Sequence, residues 1–386
     1  MVADKKVVCN FLFIKIDKSL KLDYNNNMNR VNRKGDEKMS IESVKLFNIT
    51  TFHSLEMQCS KGINIIIGGN GTGKTTLLKF IYASCEWSNK KISRNKAKKI
   101  SDYFSYDNCD MTKFKTYESN EHYSAFEIKY DGITFEYRLN ENAMCNLDNW
   151  LNKEVKSIFI PTMEMLSHSK GFLAMNEKYN MPFDATQTDI IVNAELPETK
   201  NISKVASKIL SIISEIIDGI VIYENDSFYV IKNNGMKLEF SFEAEGLRKF
   251  ALLWKLIRNG LLEKDSVLIW DEPESNLNPE LIPVLVDILL ELQRNGVQIF
   301  IATHSYNLAK YFEVKREKDD SVIFHSLYYE KSNIDFSNKD ISKEFNFITS
   351  GVKIKSDNYF GKLNNNAILD ADSKLLDEVI EKNLGD

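Results

Sequence analysis

The chain has 386 residues, a formal net charge of −5, 43% hydrophobic residues and 27% charged residues. These values are typical of globular proteins with two or three lobes, and they exclude wholesale disorder and fibrous repeats. No apolar run approaches the roughly 18–20 residues of a membrane span, which excludes an integral membrane protein. The acidic balance excludes a uniformly basic nucleic-acid coat, although it leaves room for a local basic groove.

The five cysteines form no CxxC pair and have no His at ligand spacing. We interpret them as buried or incidental thiols rather than as a metal site. Because the thiols are unpaired and no secretory leader is recognisable, we expect a cytoplasmic protein. The cysteines are Cys9, Cys59, Cys85, Cys109 and Cys145.

Residues 1–38 form no recognisable fold element apart from one candidate strand, Val7 to Ile16. The stretch from Lys18 to Lys38 is rich in Asn and Lys and has no apolar period. The codons for Lys34-Gly35-Asp36 can spell a purine-rich ribosome-binding sequence just before Met39. We therefore expect residues 1–38 to be a disordered or non-native extension, with Met39 as the natural start.

The first half of the remaining chain predicts strands around one glycine-rich turn and one helix. The largely apolar run Ile63 to Ile67, bounded by glycines, predicts a buried central strand. Thr75 to Ser84 has the spacing of a helix, and Asp131-Gly132 predicts a hairpin within Ala125 to Leu139. Other predicted strands are Ile41 to Phe47, Ser54 to Gln58 and Ser157 to Pro161. The segment Asn89 to Lys99 is basic, with Lys90, Lys91, Arg94, Lys96, Lys98 and Lys99.

The second half predicts a mostly helical stretch, then short strands, then a regular alternation. The stretch after Glu164 is predicted to be helical through Ile217, and Val221 to Phe242 predicts strands that turn at Asn225-Asp226 and Asn233-Asn234-Gly235. The alternation that follows implies a parallel sheet covered on both faces. It comprises a helix from Gly246 to Asn259, a strand from Val267 to Trp270, a helix from Pro279 to Arg294, a strand from Gln298 to Ala302 and a helix from Asn307.

The run Gly68 to Thr75, GGNGTGKT, matches the P-loop pattern GxxxxGK[ST] between a predicted strand and a helix. Glycines let backbone N–H groups curl around phosphates, and the helix N-terminus adds partial positive charge. Lys74 is expected to reach the β- and γ-phosphates of ATP, and Thr75 to take a Mg²⁺ coordination position. The residues predicted to bind the nucleotide here are Gly68, Asn70, Gly71, Thr72, Gly73, Lys74, Thr75 and Thr76.

A second motif follows the apolar strand Val267 to Trp270, which ends in Asp271 and Glu272. A buried strand would deliver Asp271 beside the P-loop to hold Mg²⁺ through water, while Glu272 could orient and deprotonate the attacking water. One acid could instead cap the next helix. The next strand ends at His304, which is placed to contact a γ-phosphate or the lytic water, with a structural histidine as the alternative. We expect Lys74, Glu272 and His304 to be the catalytic residues.

Together these motifs resemble an ABC-type P-loop ATPase head of the AAA family, similar to the SMC, RecF and OLD group rather than to transporters. The likeness covers about Ile41 to Phe312. It implies a Walker A motif at Gly68 to Thr75, a Walker B motif with its catalytic glutamate at Asp271-Glu272, and a D-loop containing Asn276. The same resemblance implies that His304 is the switch histidine and that two heads sandwich two ATP molecules.

The candidate signature, Glu243 to Lys249, departs from the family pattern. Ala244 stands where a phosphate-binding serine is usual, and Glu245 replaces a glycine. Gly246 and Arg248 are still predicted to contact the nucleotide, through the helix dipole and the guanidinium. The lost hydroxyl is expected to weaken sandwich closure and slow turnover. Glu164 lies where the family has its Q-loop and is also predicted to contact the nucleotide.

The resemblance implies an α/β P-loop NTPase fold with a mostly parallel core sheet, an antiparallel β-subdomain and a helical insertion. The insertion is too short for the coiled coil of cohesin-like members, so we do not expect long-range DNA tethering. The tail lacks the acidic signature of the nuclease domain in OLD proteins. The predicted domains are a first ATPase lobe at 39–160, the insertion and a hairpin at 161–242, a lobe with the signature, Walker B, D-loop and switch histidine at 243–312, and a strand and helix extension at 313–386.

The compact head most resembles stand-alone ATPases of bacterial antiviral defence systems, such as the Septu and PARIS types. This resemblance implies a slowly hydrolysing switch that binds ATP and Mg²⁺, forms a homodimer and regulates a separately encoded effector, with a nuclease as the expected class. DNA or a phage-derived molecule is the candidate trigger, and no membrane partner is expected. The alternatives are a RecF- or SMC-like DNA-binding repair ATPase, a transporter ATP-binding subunit and a scaffold that binds nucleotide without cleaving it.

Overall fold

The computed structural model describes residues 39–89, 98–104, 123–139, 141, 143–179, 181–329 and 351–384. The predicted extension at 1–38, including the candidate strand Val7 to Ile16, and most of the basic segment lie outside these residues. Among the helices within these ranges, none is both long and apolar enough to cross a bilayer.

A six-stranded sheet forms the centre of the fold. Its strands, numbered along the chain, are β3 (Ile63–Gly68), β7 (Lys156–Ile160), β11 (Ser266–Asp271), β12 (Gln298–Thr303), β13 (Val322–Tyr329) and β14 (Val352–Asp357). Their order is β14-β13-β3-β12-β11-β7, and every neighbouring pair is parallel except β13 with β14. The predicted mostly parallel core sheet is therefore confirmed.

Both faces of the sheet are buried at its centre, which explains why β3, β11 and β12 are largely apolar. In β3, the side chains of Ile63, Ile65 and Ile67 belong to one apolar cluster, and that of Ile66 belongs to another on the opposite face. All six β3 residues are buried. The sequence of the strand thus follows from its place between two packed layers.

A five-stranded antiparallel sheet covers one face together with the helix that follows β3. Its strands are β1 (Ile41–Ile49), β2 (Phe52–Gln58), β4 (Ala125–Tyr130), β5 (Ile133–Arg138) and β6 (Ala143–Cys145), in the order β2-β1-β4-β5-β6. Asp131 and Gly132, with φ of 47° and 72°, form the turn between β4 and β5. The rings of Phe80, on the helix, and Phe126 stack at 5.2 Å. The helix is α1 (Lys74–Trp87).

Helices and a small antiparallel sheet cover the opposite face. The predicted helical stretch after Glu164 consists of α3 (Phe172–Tyr179), α4 (Ala185–Glu195) and α5 (Lys204–Ile216). The short α2 (Leu147–Trp150) lies instead on the side of the five-stranded sheet, where Trp150 stacks on Phe135. The predicted short strands are β8 (Gly219–Glu224), β9 (Ser227–Lys232) and β10 (Lys237–Glu239). The remaining helices are α6 (Glu245–Arg258), α7 (Ile282–Arg294), α8 (Tyr306–Lys315) and α9 (Ala367–Leu384).

The chain after the last predicted core helix also contributes to the central sheet. Residues 313–386, expected to form a strand and helix extension, supply β13 and β14, and β13 pairs directly with β3. The P-loop strand therefore lies between β13 on one side and β12 on the other.

Candidate functional site

The predicted P-loop joins β3 to α1 at the carboxyl edge of the central sheet. Gly71 and Gly73 have φ of 77° and 86°, a left-handed conformation that glycine adopts without strain. A Cβ on Gly73 would lie 2.6 Å from Cζ of Phe52, so the turn between β1 and β2 packs directly on the loop. The loop backbone thus requires glycine at this position on two independent grounds.

The loop presents a row of free amide donors. Within the described part of the chain, the N–H groups of Asn70 to Thr76 donate no hydrogen bond. The Thr72 hydroxyl donates to the Gly69 carbonyl at 2.9 Å, and the Lys74 ammonium donates to the carbonyls of Gly68 and Gly69 at 2.9 and 3.0 Å. Consecutive amides with a lysine inside the loop form a cradle suited to phosphate.

Burial lowers the pKa of Lys74 to about 8, and the nearby acids Glu272, Asp271 and Glu274 only partly offset this. The side chain is buried, whereas Asn70 and Thr75 are exposed and Thr76 is half-buried. An anion bound beside Lys74 would therefore raise the pKa of Lys74 more than it would raise the pKa of an exposed lysine.

The two predicted metal ligands meet although 196 positions separate them. The Thr75 hydroxyl donates to Oδ2 of Asp271 at 2.8 Å, because β11 lies two strands from β3 and ends at the same edge. Burial raises the pKa of Asp271. A hydroxyl and a carboxylate are hard oxygen ligands that fit Mg²⁺. The described residues contain no cluster of three or more His, Cys, Asp or Glu able to hold a metal ion.

Glu272 and His304 lie side by side at the ends of adjacent strands. Nε2 of His304 is 3.5 Å from Oε1 of Glu272, and both side chains are about one-third exposed. Glu272 has φ of 50°, an uncommon conformation for a residue with a side chain. Burial and the charge of Lys74 lower the pKa of His304, so its imidazole is neutral at pH 7.

Two further residues of this edge were not predicted from the sequence. Oε1 of Glu274 accepts the Thr303 hydroxyl at 2.6 Å and the His304 N–H at 3.1 Å, which fixes the start of the histidine loop. The ammonium of Lys249 donates to Ser275 Oγ at 2.6 Å, and burial lowers its pKa to about 8. In the sequence, the features that could have indicated these residues are the position of Glu274, an acid two residues after Glu272, and that of Lys249, a lysine among the apolar residues of a helix.

The signature segment contacts the D-loop. Nδ2 of Asn276 donates to Oε1 of Glu245 at 2.7 Å, and a Cβ on Gly246 would lie 2.9 Å from the Asn276 carbonyl oxygen. Ala244 precedes α6 and supplies no side-chain cap. The structure therefore brings the predicted residues Gly246 and Asn276 together.

The structure does not bring Glu164 and Arg248 to the P-loop among the contacts of the described residues; it joins them to each other. Arg248 Nη1 lies 3.4 Å from Glu164 Oε2, and its other nitrogens donate to the carbonyls of Glu243 and Ser241 at 2.8 and 2.7 Å. Glu164 also accepts the N–H of Leu166 at 2.5 Å. Arg248 would have to leave these contacts to bind an anion. In this chain its donors fix the loop before α6, and its contact with a nucleotide stays a prediction.

A family model described as "AAA domain, putative AbiEii toxin, Type IV TA system" matches residues 90–310, which is more than half of the chain. Local matches include the Rad50 double-strand break repair ATPase of Pyrococcus abyssi, 44% identical over 52 residues, 14% of this chain and 6% of that protein. RecF of Cytophaga hutchinsonii is 47% identical over 47 residues, 12% of each chain. The arginine transport ATP-binding protein ArtP of Haemophilus influenzae is 43% identical over 54 residues, 14% of this chain and 22% of that protein. The chain therefore spans less than a quarter of the length of each of these relatives.

Solved structures also resemble the chain. The SMC head domain of Thermotoga maritima aligns with a TM-score of 0.43 and 13% identity, over 75% of this chain and 95% of that one. A dimeric bacterial ABC transporter cassette aligns with a TM-score of 0.34 and 15% identity, over 73% and 93%. Because the family model covers more than half of the chain, the chain belongs to this AAA-domain family.

Proposed function

We propose that this protein binds MgATP and hydrolyses it slowly, and that two copies close head to head around two nucleotides to control a separate effector protein in the cytoplasm. The observation that carries the proposal is the contact of Thr75 with Asp271 beside the free amides of the P-loop. Three separate segments of the chain, namely the P-loop and the ends of β11 and β12, would supply phosphate donors, metal ligands, an acid and a histidine at one edge of the sheet.

The binding step uses the loop and the two metal ligands. The amides of Asn70 to Thr76 and the ammonium of Lys74 would hold the phosphates. Thr75 and Asp271 would hold Mg²⁺, which neutralises charge on the β- and γ-phosphate oxygens when bound. Lys74 would exchange its contacts with the loop carbonyls for phosphate oxygens, which favours its charged form.

The hydrolytic step would depend on Glu272 and His304. Its carboxylate would accept a proton from the attacking water, which is the role of a general base. A neutral His304 can donate a hydrogen bond to a phosphate oxygen without adding a proton of its own. Because Nε2 of His304 lies 3.5 Å from Glu272, both groups can reach one water molecule.

The signature supports slow turnover. Ala244 offers no hydroxyl to a phosphate, and the carboxylate of Glu245 sits in the first turn of α6, where it opposes binding of an anion. Gly246 and Asn276 would still face the nucleotide of the second copy. Closure would then depend on the helix N-terminus and the D-loop rather than on a serine.

The dimer is tested by Glu272→Gln, which keeps the side-chain shape but cannot accept the proton. We expect this variant to retain MgATP and to accumulate as a dimer in light scattering coupled to gel filtration. The control is Glu280→Gln, an exposed change on the following turn, which should remain as active as the wild type. A Glu272→Gln protein that stays monomeric with saturating MgATP would disprove the sandwich.

The effector is inferred from the resemblance to stand-alone ATPases of defence systems, with a nuclease as the proposed class and a DNA or phage-derived trigger. The test is to co-express the chain with the products of its neighbouring genes and to purify the untagged complex. A nuclease that co-purifies, and whose activity changes in the presence of MgATP, would support the proposal. Permease partners would instead favour a transport role.

A DNA-binding repair ATPase is the second candidate function. The local matches to Rad50 and RecF favour it, and the basic segment from Lys90 to Lys99 could contact phosphates. Only Lys98 and Lys99 of that segment's basic residues are described, and Lys98 pairs with Asp189. Neutralising all six basic residues should weaken DNA retention and reduce its salt dependence if this function is correct.

A further inference from the structure

The end of strand β13 contacts the P-loop at Gly71. The strand runs parallel to β3 with Leu327 opposite Gly68, and two residues later the hydroxyl of Tyr329 donates to the Gly71 carbonyl at 3.2 Å. Tyr329 lies outside every motif of the sequence. The contact therefore links a C-terminal strand to the centre of the predicted phosphate cradle.

The direction of this hydrogen bond fixes the direction of an amide. A peptide group is planar and trans, so the carbonyl of Gly71 and the N–H of Thr72 point to opposite sides of the chain. Tyr329 holds the carbonyl on the outer side, next to β13. The Thr72 N–H must then point to the inner side of the loop, among the other amides that donate to nothing in the described part of the chain.

The peptide group of Gly71 needs such an anchor because glycine has no side chain to hold it in place. Gly71 is exposed, has φ of 77°, and a Cβ there would meet no atom within 4 Å. Glycine has the widest choice of backbone conformations, so this peptide could rotate freely without a partner. The ring of Tyr329, in contrast, packs against the apolar cluster under the antiparallel sheet. A ring packed in the apolar cluster thus carries a hydroxyl to a peptide whose glycine has no side chain to hold it.

We propose that Tyr329 is a positioning residue of the phosphate cradle, whose hydroxyl holds the Gly71 peptide so that the Thr72 amide faces the phosphates of a nucleoside triphosphate. The proposal rests on the proposed function, namely that this loop binds MgATP. Because burial raises the pKa of Tyr329, the hydroxyl remains a donor over the physiological range. The hydroxyl of Tyr329 would strengthen phosphate binding equally in the ground state and in the transition state.

The experiment is Tyr329→Phe in the full chain, which removes one oxygen and keeps the ring. We expect affinity for MgATP, MgADP and magnesium tripolyphosphate to fall by roughly three- to tenfold in calorimetry, the range of one lost hydrogen bond. KM for ATP should rise by the same factor with kcat unchanged. The control is Tyr328→Phe. Tyr328 lies on the other face of β13 with its ring near Lys355, and this variant should bind MgATP as tightly as the wild type.

The outcomes separate this inference from the proposed function. If the wild type binds MgATP and Tyr329→Phe binds it equally well, the positioning role is wrong. A loss of kcat with unchanged KM, or equal losses in Tyr328→Phe, also overturns it. If the wild type itself binds no nucleotide, the proposed function fails instead. The carbonyl carbon shift of Gly71, measured by NMR on both tyrosine variants without ligand, should change only in Tyr329→Phe and so tests the contact apart from binding.

Discussion

The ammonium of Lys249 donates a hydrogen bond to the backbone carbonyl of Glu272 at 3.1 Å. It also donates to the Pro273 carbonyl at 3.3 Å, so it holds the two successive peptide carbonyls that follow the side chain of the proposed base. Glu272 has φ of 50°, and a side-chain-bearing residue in this conformation costs on the order of 1–3 kcal/mol. The buried cation stabilises that turn and joins it to the helix whose N-terminus is the signature.

Replacing Lys249 with Met should impair hydrolysis more than binding. Met fills similar volume but removes the ammonium from the carbonyls of Glu272 and Pro273 and leaves the Glu272 carbonyl only the N–H and hydroxyl of Ser275. We expect the turn to loosen and the carboxylate to lose its position relative to the attacking water. We expect kcat to fall by roughly 10- to 100-fold, the range for small displacements of a catalytic group, with little change in the dissociation constant for MgATP. Steady-state phosphate release and calorimetry on the same preparation measure the two quantities.

Lys255 provides the control for that substitution because it lies on the same helix and is equally buried. Its ammonium is 3.4 Å from Glu198, away from the sheet edge. Lys255→Met should lower stability without selectively lowering kcat. A Lys249→Met protein with normal kcat would show that the contact with Glu272 is structural only.

Lys74 makes nucleotide binding dependent on pH above about 8. Its pKa is about 8 in the folded chain, whereas an unfolded lysine titrates near 10.4. Between these values the unfolded chain binds more protons, so this group's contribution to stability rises with pH across that window. Binding of MgATP needs the charged form, so affinity should fall as pH rises from 8 to 9.5, with uptake of about one proton on binding at the upper end.

Calorimetry in two buffers of different ionisation enthalpy measures that proton uptake directly. Lys74→Arg keeps its charge throughout, since arginine is protonated at every pH of the series. Its affinity, whatever its level, should not vary with pH in this window. The same slope in both proteins would assign the pH dependence to another group.

The sequence predicted the elements that carry local signals. The run Ile63 to Ile67 is apolar because both of its faces are buried, and the glycines after it mark a turn that tolerates no side chain at Gly73. Asp271 could be placed beside the P-loop because parallel strands end at one edge. These inferences needed only periodicity, turn chemistry and the geometry of a parallel sheet.

The contacts that no local pattern encodes could not be predicted. Strand order is set by packing of whole layers, so nothing near Tyr329 indicated that its strand would pair with β3. Arg248 fits an anion site by residue type, yet in the fold its donors meet carbonyls before α6 and the carboxylate of Glu164. Lys249 is the last residue of the candidate signature, and its contact with the turn containing Glu272 depends on tertiary packing that no local pattern encodes.

Glu86, in the last turn of α1, makes stability itself dependent on pH. Its carboxylate accepts the Ser157 hydroxyl at 3.0 Å, and burial, with repulsion from Asp189, raises its pKa to about 7 although Lys98 opposes this. An unfolded glutamate titrates near 4.3. The folded chain therefore binds more protons between these values, and stability from this group is lost as pH rises from about 4.5 to 7.

Glu86→Gln should remove that loss, because the amide cannot ionise but can still accept from Ser157. We expect the variant to be about 1–3 kcal/mol more stable than the wild type at pH 8 and nearly equal to it at pH 5, as measured by urea unfolding. Glu141→Gln, at an exposed position beside Arg138, should change stability little at either pH. An equal gain for Glu86→Gln at both pH values would mean that packing of the amide, and not loss of the buried charge, stabilises the end of the P-loop helix.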